Sequence, residues 1–208
     1  MKATSITGAV WLGVAAAVSL ASPVPNDSQA TNFFGVGEVR SAVWSVQPSA
    51  DNQEIRFSID CTGFSAVEVT GGYSLRIPGQ ASSAKPRTPD LPRLAKLLPG
   101  IKGTRPVLTV QGKDPTNVTH VVVAAAEGFR LDDPAGATRS LRPYRQPDAG
   151  IFGKDEFWPL ELGSVEEAGI GTQLVVRVEC FPVQYNPEAR TIRFYRRLEG
   201  VLRFEQSP

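Results

Sequence analysis

The sequence is poor in the residues that do chemistry, with a single histidine, His120, and two cysteines, Cys61 and Cys180. A zinc site would have to combine these distant residues with carboxylates, because no closely spaced pair of ligands is present. A peptidase dyad would need His120 beside a cysteine that opens into a cleft. No Gly-rich phosphate loop stands between a strand and a helix. We therefore expect no metal, no cofactor and no catalytic residue, so that the protein is not an enzyme.

An excess of charge of either sign is also missing. The chain has 22 Lys and Arg against 21 Asp and Glu, a net charge of +1. Loss of the residues up to Ala21 would remove Lys2 and no acid, which leaves 21 residues of each sign. A neutral domain lacks the positive field that attracts nucleic acid and anionic lipid. Both are therefore excluded as expected partners.

The one extended apolar run, residues 8–20, is too short to cross a bilayer comfortably. A weakly basic start precedes it, and small residues follow it at positions that suit signal-peptidase cleavage near Ala21 or Ala30. A retained membrane anchor is the alternative. We predict that residues 1–30 are a signal peptide and lead-in, and that residues 31–208 form one domain. This domain is expected to be secreted, periplasmic or on the cell surface, without membrane contact after cleavage.

In an exported protein, Cys61 and Cys180 could form a disulfide. Each has the apolar phase of a predicted strand and is expected to point inward. A bond between them would close a loop of about 120 residues, for which chain entropy gives about 4–5 kcal/mol. Two buried free thiols that pack as small hydrophobic groups are the alternative.

Helical periodicity is absent, whereas alternation of apolar and polar residues is frequent. Residues 54–61 place four apolar side chains in one phase, which predicts a half-buried strand. Two alternating runs, 66–70 and 73–77, flank Gly71-Gly72 and predict a tight hairpin. Further strands are predicted at 94–101 (on a sheet edge), 106–111, 118–125, 173–181 and 191–204. The pattern indicates an all-β fold, a sandwich of two packed antiparallel sheets.

Two local features qualify this pattern. Arg196 and Gly200 interrupt the apolar phase of residues 191–204, which favours a bulge or bend. Residues 127–157 show little regularity and are rich in Gly, Pro and Arg. A loop of this length within a compact domain is usually functional or disordered. Arg142 and Arg145 stand beside prolines there, and together with Arg139 they are candidates for contacting an acidic pocket on a partner.

Four stretches resemble the N-terminal prodomain of gingipain-type cysteine peptidases, in the same order along the chain. They are TPDLPRLAKLLPGIKG (88–103), LRPYRQP (141–147), FWPLELGSVEEAGIGTQLVVRVECFPVQYNP (157–187) and PVQYNPEARTIRFYRRLEGVLRF (182–204). The Tyr-Asn-Pro turn between the last two strands is the most specific of these features. Together the stretches cover about two-thirds of the chain.

The resemblance implies a secreted, non-catalytic β-sandwich prodomain that binds its peptidase, assists its folding and keeps it latent. In that family a basic residue of a prodomain loop can occupy the substrate pocket, which makes Arg139, Arg142 and Arg145 the candidates here. The partner is then a cysteine peptidase catalytic domain. In relatives it follows in the same chain; this sequence ends at Pro208, so we expect action in trans if any. An extracellular structural or adhesive β-sandwich is the alternative function.

Overall fold

The computed structural model describes residues 32–36, 38, 40–51, 53–80, 85–132, 140–170 and 173–206. The predicted signal peptide, with both cleavage positions, lies outside these residues. Within the described part, no helix has the length and apolar character needed to cross a membrane.

The described residues form thirteen strands and one short helix. The strands are β1 (Asn32–Gly35), β2 (Val43–Pro48), β3 (Glu54–Asp60), β4 (Gly63–Val69), β5 (Gly72–Arg76), β6 (Leu94–Pro99), β7 (Thr104–Val118), β8 (Gly128–Asp132), β9 (Ser140–Tyr144), β10 (Gly163–Ile170), β11 (Gln173–Cys180), β12 (Val183–Asn186) and β13 (Thr191–Gln206); the helix is α1 (Ala149–Phe152).

Within the described ranges, all strand pairs are antiparallel, and they form one large sheet and three small ones. Strands β2, β3, β7, β12 and β13 form the large sheet; β1-β4-β5 and β10-β11-β6 form two three-stranded sheets; β8 and β9 pair only with each other. One buried core contains side chains from the large sheet and from both three-stranded sheets. The expected all-β, antiparallel sandwich is therefore confirmed, with two small sheets facing the large one.

Strand β13 is the centre of the large sheet. Strand β7 pairs with it from Ile192 to Gln206, while its other edge pairs first with β12 and then with β3. Its buried side chains are those of the predicted apolar phase: Ile192, Phe194, Leu198, Leu202 and Phe204. The edge partner changes at Arg196, whose carbonyl accepts from the Cys61 amide at 2.8 Å.

Neither of the two interruptions in β13, Arg196 and Gly200, is a bulge in the pairing with β7. The register with β7 is the same on both sides of Arg196, and the positive φ of +50° lies opposite, at Asp114. At Gly200 the ring of Phe57 lies over the strand, so that an added Cβ would be 2.0 Å from Cζ of that ring. The missing side chain is thus replaced in the core by a phenylalanine of the neighbouring strand.

The Tyr-Asn-Pro turn joins β12 to β13 and holds a third segment against them. Asn186 accepts the Ala189 amide at 3.0 Å, which closes the turn, and donates to Asp155 at 2.8 Å. Gln184 donates to the Pro159 carbonyl at 2.7 Å and accepts the Tyr195 hydroxyl at 3.1 Å. Buried polar groups are stable only when they are satisfied in this way. The motif therefore has a structural role, because it holds the segment with Asp155 and Pro159 against β12 and β13.

The hairpin at Gly71-Gly72 is confirmed, since both glycines have positive φ and join β4 to β5. Strand β6 lies at the edge of its sheet, as expected. The strand expected at 118–125 is wrong. The chain leaves β7 at Val118, His120 takes a φ of +63°, and the following residues make only single bridges, such as Tyr73 with Val123.

The expectation of an irregular segment at 127–157 also needs correction. Strands β8 and β9 form a hairpin there, and α1 follows it. Asp148 caps the helix by accepting the Gly150 amide at 2.8 Å. The alternation in GFRLD and SLRPY was a period-two signal that could have identified the hairpin.

Candidate functional site

The β8–β9 hairpin is a two-stranded sheet of its own. Five pairs, from Gly128 with Tyr144 to Asp132 with Ser140, define its register. Gly128 has no side chain and leaves room for the Tyr144 ring, which lies 2.7 Å from where a Cβ would be. A two-stranded hairpin is at best marginally stable in water on its own. Its order therefore depends on its attachment to the body or on a partner.

One face of the hairpin is apolar and exposed. Phe129 is opposite Pro143, and Leu131 is opposite Leu141, so the four side chains share a face. Phe129, Leu131 and Leu141 are 62%, 56% and 68% exposed. Isolated exposed apolar residues are common, but a cluster of them marks an interaction surface. Sequence reasoning missed this apolar stripe, which we define as Phe129, Leu131 and Leu141.

The other face of the hairpin carries charged residues of both signs, Arg130, Arg142 and Asp132. Arg130 and Arg142 are directly opposite each other, and both are exposed. Of the candidate arginines, Arg142 is the one that the structure places on the hairpin surface.

Arg145 has a different position from Arg142, because it turns into the body. Its guanidinium donates to the Ala125 carbonyl at 2.8 Å and to Asp90 at 3.1 Å, and lies 3.8 Å from Glu127. The side chain is only 16% exposed and that of Asp90 only 3%. Arg145 directly follows Tyr144, the last residue of β9, and it thus anchors the base of the hairpin. Arg139 lies outside the described residues.

Asp90 is the centre of the anchor. It accepts the Ser74 hydroxyl at 2.7 Å, and Arg76 lies 3.2 Å from its second oxygen. Its backbone is also fixed, since its amide donates to Ala124 and its carbonyl accepts from Leu75. The carboxylate and backbone of Asp90 therefore join β5 and Ala124 to the end of the hairpin.

The cysteines and the histidine are not arranged as a catalytic pair. Cys61 and Cys180 are buried free thiols, whereas His120 is exposed and contacts Thr119. Burial raises the pKa of both thiols to about 12. Reactive cysteines instead have a lowered pKa and solvent access. Among the described residues, no group of three or more His, Cys, Asp or Glu side chains could hold a metal.

The matches among solved structures include two chains from gingipain structures. The first, from work on the zymogenic latency of gingipain K from Porphyromonas gingivalis, has a TM-score of 0.66 at 16% identity and covers 86% of this chain and 99% of that chain. The second, from the complex of Porphyromonas gingivalis RgpB pro- and mature domains, has a TM-score of 0.58 at 18% identity and covers 79% of this chain and 84% of that one. No family model matches the chain, and neither does any curated protein. The similarity extends over most of both chains, and it shows that this protein has a gingipain prodomain-like fold.

Proposed function

We propose that this chain is a secreted, non-catalytic, prodomain-like module that binds a cysteine peptidase of the gingipain type. The fold similarity to chains from a zymogen study and from a pro- and mature-domain complex supports a peptidase as the partner. The observation that carries the proposal is the β8–β9 hairpin, which exposes the apolar stripe on one face and Arg130 and Arg142 on the other.

The hairpin offers two kinds of contact to a peptidase. Burial of the apolar stripe against a partner lowers the free energy of binding by about 25 cal/mol per Å² of apolar surface removed from water. Arginine forms paired hydrogen bonds with a carboxylate, which suits a pocket that accepts Arg or Lys. In this proposal Arg142, on β9, and Arg139, which precedes it in the chain, approach the substrate pocket. Arg145 stabilises the base of the hairpin that carries them, through its bonds to Asp90 and Ala125.

The anchor makes this contact more favourable. A loop that is already held in its bound conformation loses less entropy on binding. The Arg145–Asp90 pair fixes one end of the hairpin, and the β8–β9 ladder fixes its register. A pre-organised hairpin would cover the active site and so keep the peptidase latent. It would also offer a surface against which the peptidase could fold.

Inhibition of an Arg-specific gingipain-type peptidase by the purified protein tests the proposal. We expect Arg139→Ala or Arg142→Ala to weaken inhibition by about 10- to 100-fold if the replaced residue is the one whose guanidinium enters the pocket. The reason is that a hydrogen bond to a charged group contributes about 1.5–3 kcal/mol. At least one of the two should show this effect. Arg105→Ala, an exposed arginine on β7, is the matched control and should inhibit like the unchanged protein.

The outcome separates the two candidate functions. Stoichiometric inhibition that depends on a hairpin arginine supports the peptidase-binding module. Absence of both inhibition and binding at micromolar concentration would favour the structural or adhesive β-sandwich. Arg145→Ala is informative in a different way, since we expect it to act mainly through lost stability of the hairpin base.

A further inference from the structure

The structure brings together the two segments that carry Cys61 and Cys180, which are far apart in sequence and are free thiols in the structure. Cys61 directly follows β3, and Cys180 is the last residue of β11, two residues before Pro182. Along β13, the Tyr195 amide donates to the Pro182 carbonyl at 2.9 Å, and the Arg196 carbonyl accepts from the Cys61 amide at 2.8 Å. The end of β3 and the approach to β12 therefore meet end to end, on the same edge of β13.

The two side chains also enter the same core. Cys61 is 5% exposed and Cys180 is fully buried. Both belong to the same core cluster, to which Cys61 is contributed from the position that follows β3 of the large sheet and Cys180 from β11 of the β10-β11-β6 sheet. After burial, a charge on Cys61 is the next cause that raises the pKa of Cys180, as expected for neighbouring sulfurs.

We infer that Cys61 and Cys180 form a disulfide in the exported protein. The reaction removes both S–H hydrogens and joins the two sulfurs, and its two electrons reduce an external disulfide to two thiols. An oxidising compartment supplies such an oxidant. The bond would connect the large sheet to a facing three-stranded sheet through the middle of the core.

Burial determines when this bond can form. The thiolate is the attacking species, and a pKa of about 12 leaves almost none of it in the folded, reduced protein. Because both side chains are also shielded from an external oxidant in the core, we expect the bond to close during folding, while the core is still open. Once closed, it is protected from reduction by the same burial.

The test compares the full chain after refolding with and without a glutathione redox buffer. We expect oxidative refolding to give a monomer that is lighter by two hydrogen atoms, with one cross-linked peptide pair containing Cys61 and Cys180. Its unfolding equilibrium constant should be about a thousandfold smaller than that of the reduced protein, because the closed loop is long. The reduced protein, once folded, should gain the bond at least tenfold more slowly than the unfolded chain.

Cys61→Ala and Cys180→Ala are the control variants, and the stability of each should not respond to the redox buffer. If either variant fails to fold, the redox comparison of the unchanged chain decides alone. Two free thiols counted by denaturing titration after oxidative refolding, or cross-links only between molecules, would overturn the inference. So would equal oxidation rates for the folded and unfolded chains.

Discussion

Replacing Asp90 with alanine is expected to lower the free energy of unfolding by about 3 kcal/mol or more. The carboxylate is buried between Arg76 and Arg145 and also accepts the Ser74 hydroxyl. Removal of one partner from a buried ion pair costs about 3–5 kcal/mol, since the remaining charge is left without compensation. Urea denaturation followed by fluorescence measures the change.

Asp60→Ala is the matched control for this prediction. Asp60 also lies near an arginine, with 3.6 Å between its carboxylate and the Arg197 guanidinium, but both side chains are about half exposed. Exposed pairs contribute about 0–1 kcal/mol. Equal losses of stability in the two variants would show that the Asp90 cluster is not the anchor that the structure indicates.

Removal of the apolar stripe is expected to weaken peptidase binding by about 100-fold or more. The triple variant Phe129→Ser, Leu131→Ser, Leu141→Ser replaces three exposed side chains, each of which would contribute about 1.5–3 kcal/mol if fully buried at an interface. Partial burial lowers this sum, and 100-fold corresponds to about 2.8 kcal/mol. Titration calorimetry against the peptidase gives the affinity.

The control for the apolar stripe replaces three exposed apolar residues outside the hairpin with serine. Val43, Leu97 and Leu160 are 63%, 51% and 68% exposed and lie outside the hairpin. The variant Val43→Ser, Leu97→Ser, Leu160→Ser should bind as the unchanged protein does. Both triple variants should keep their unfolding free energy within about 1 kcal/mol, since surface substitutions have small effects. If binding falls equally in both, the hairpin is not the contact surface.

Local alternation was sufficient to predict the strands that face the core on one side. The phase of β3 and of β13 gave the buried residues correctly, because a half-buried strand must alternate. Strand β7 was predicted too short. Its second half, GKDPTN, reads as a turn, and it is extended because β13 offers it a continuous partner. Its Pro106 and Pro115 fit a strand that lies at the edge of the sheet.

The candidate site could be predicted only in part. The segment 127–157 and its arginines were identified, but the roles of Arg142 and Arg145 could not be separated. Arg145 is internal because Asp90 reaches it from 55 residues away. A contact of this kind depends on tertiary packing and leaves no local signal. The same holds for Cys61 and Cys180, whose proximity follows from the order of strands along β13.

In our proposal, the β8–β9 hairpin is the surface that engages a cysteine peptidase. Hydrogen–deuterium exchange of the protein with and without a gingipain-type peptidase tests it most directly. We expect the amides of residues 128–144 to gain the strongest protection, while the outer face of the large sheet stays unchanged. A complex that protects other strands and leaves the hairpin exchanging freely, or no complex at all, would contradict the account.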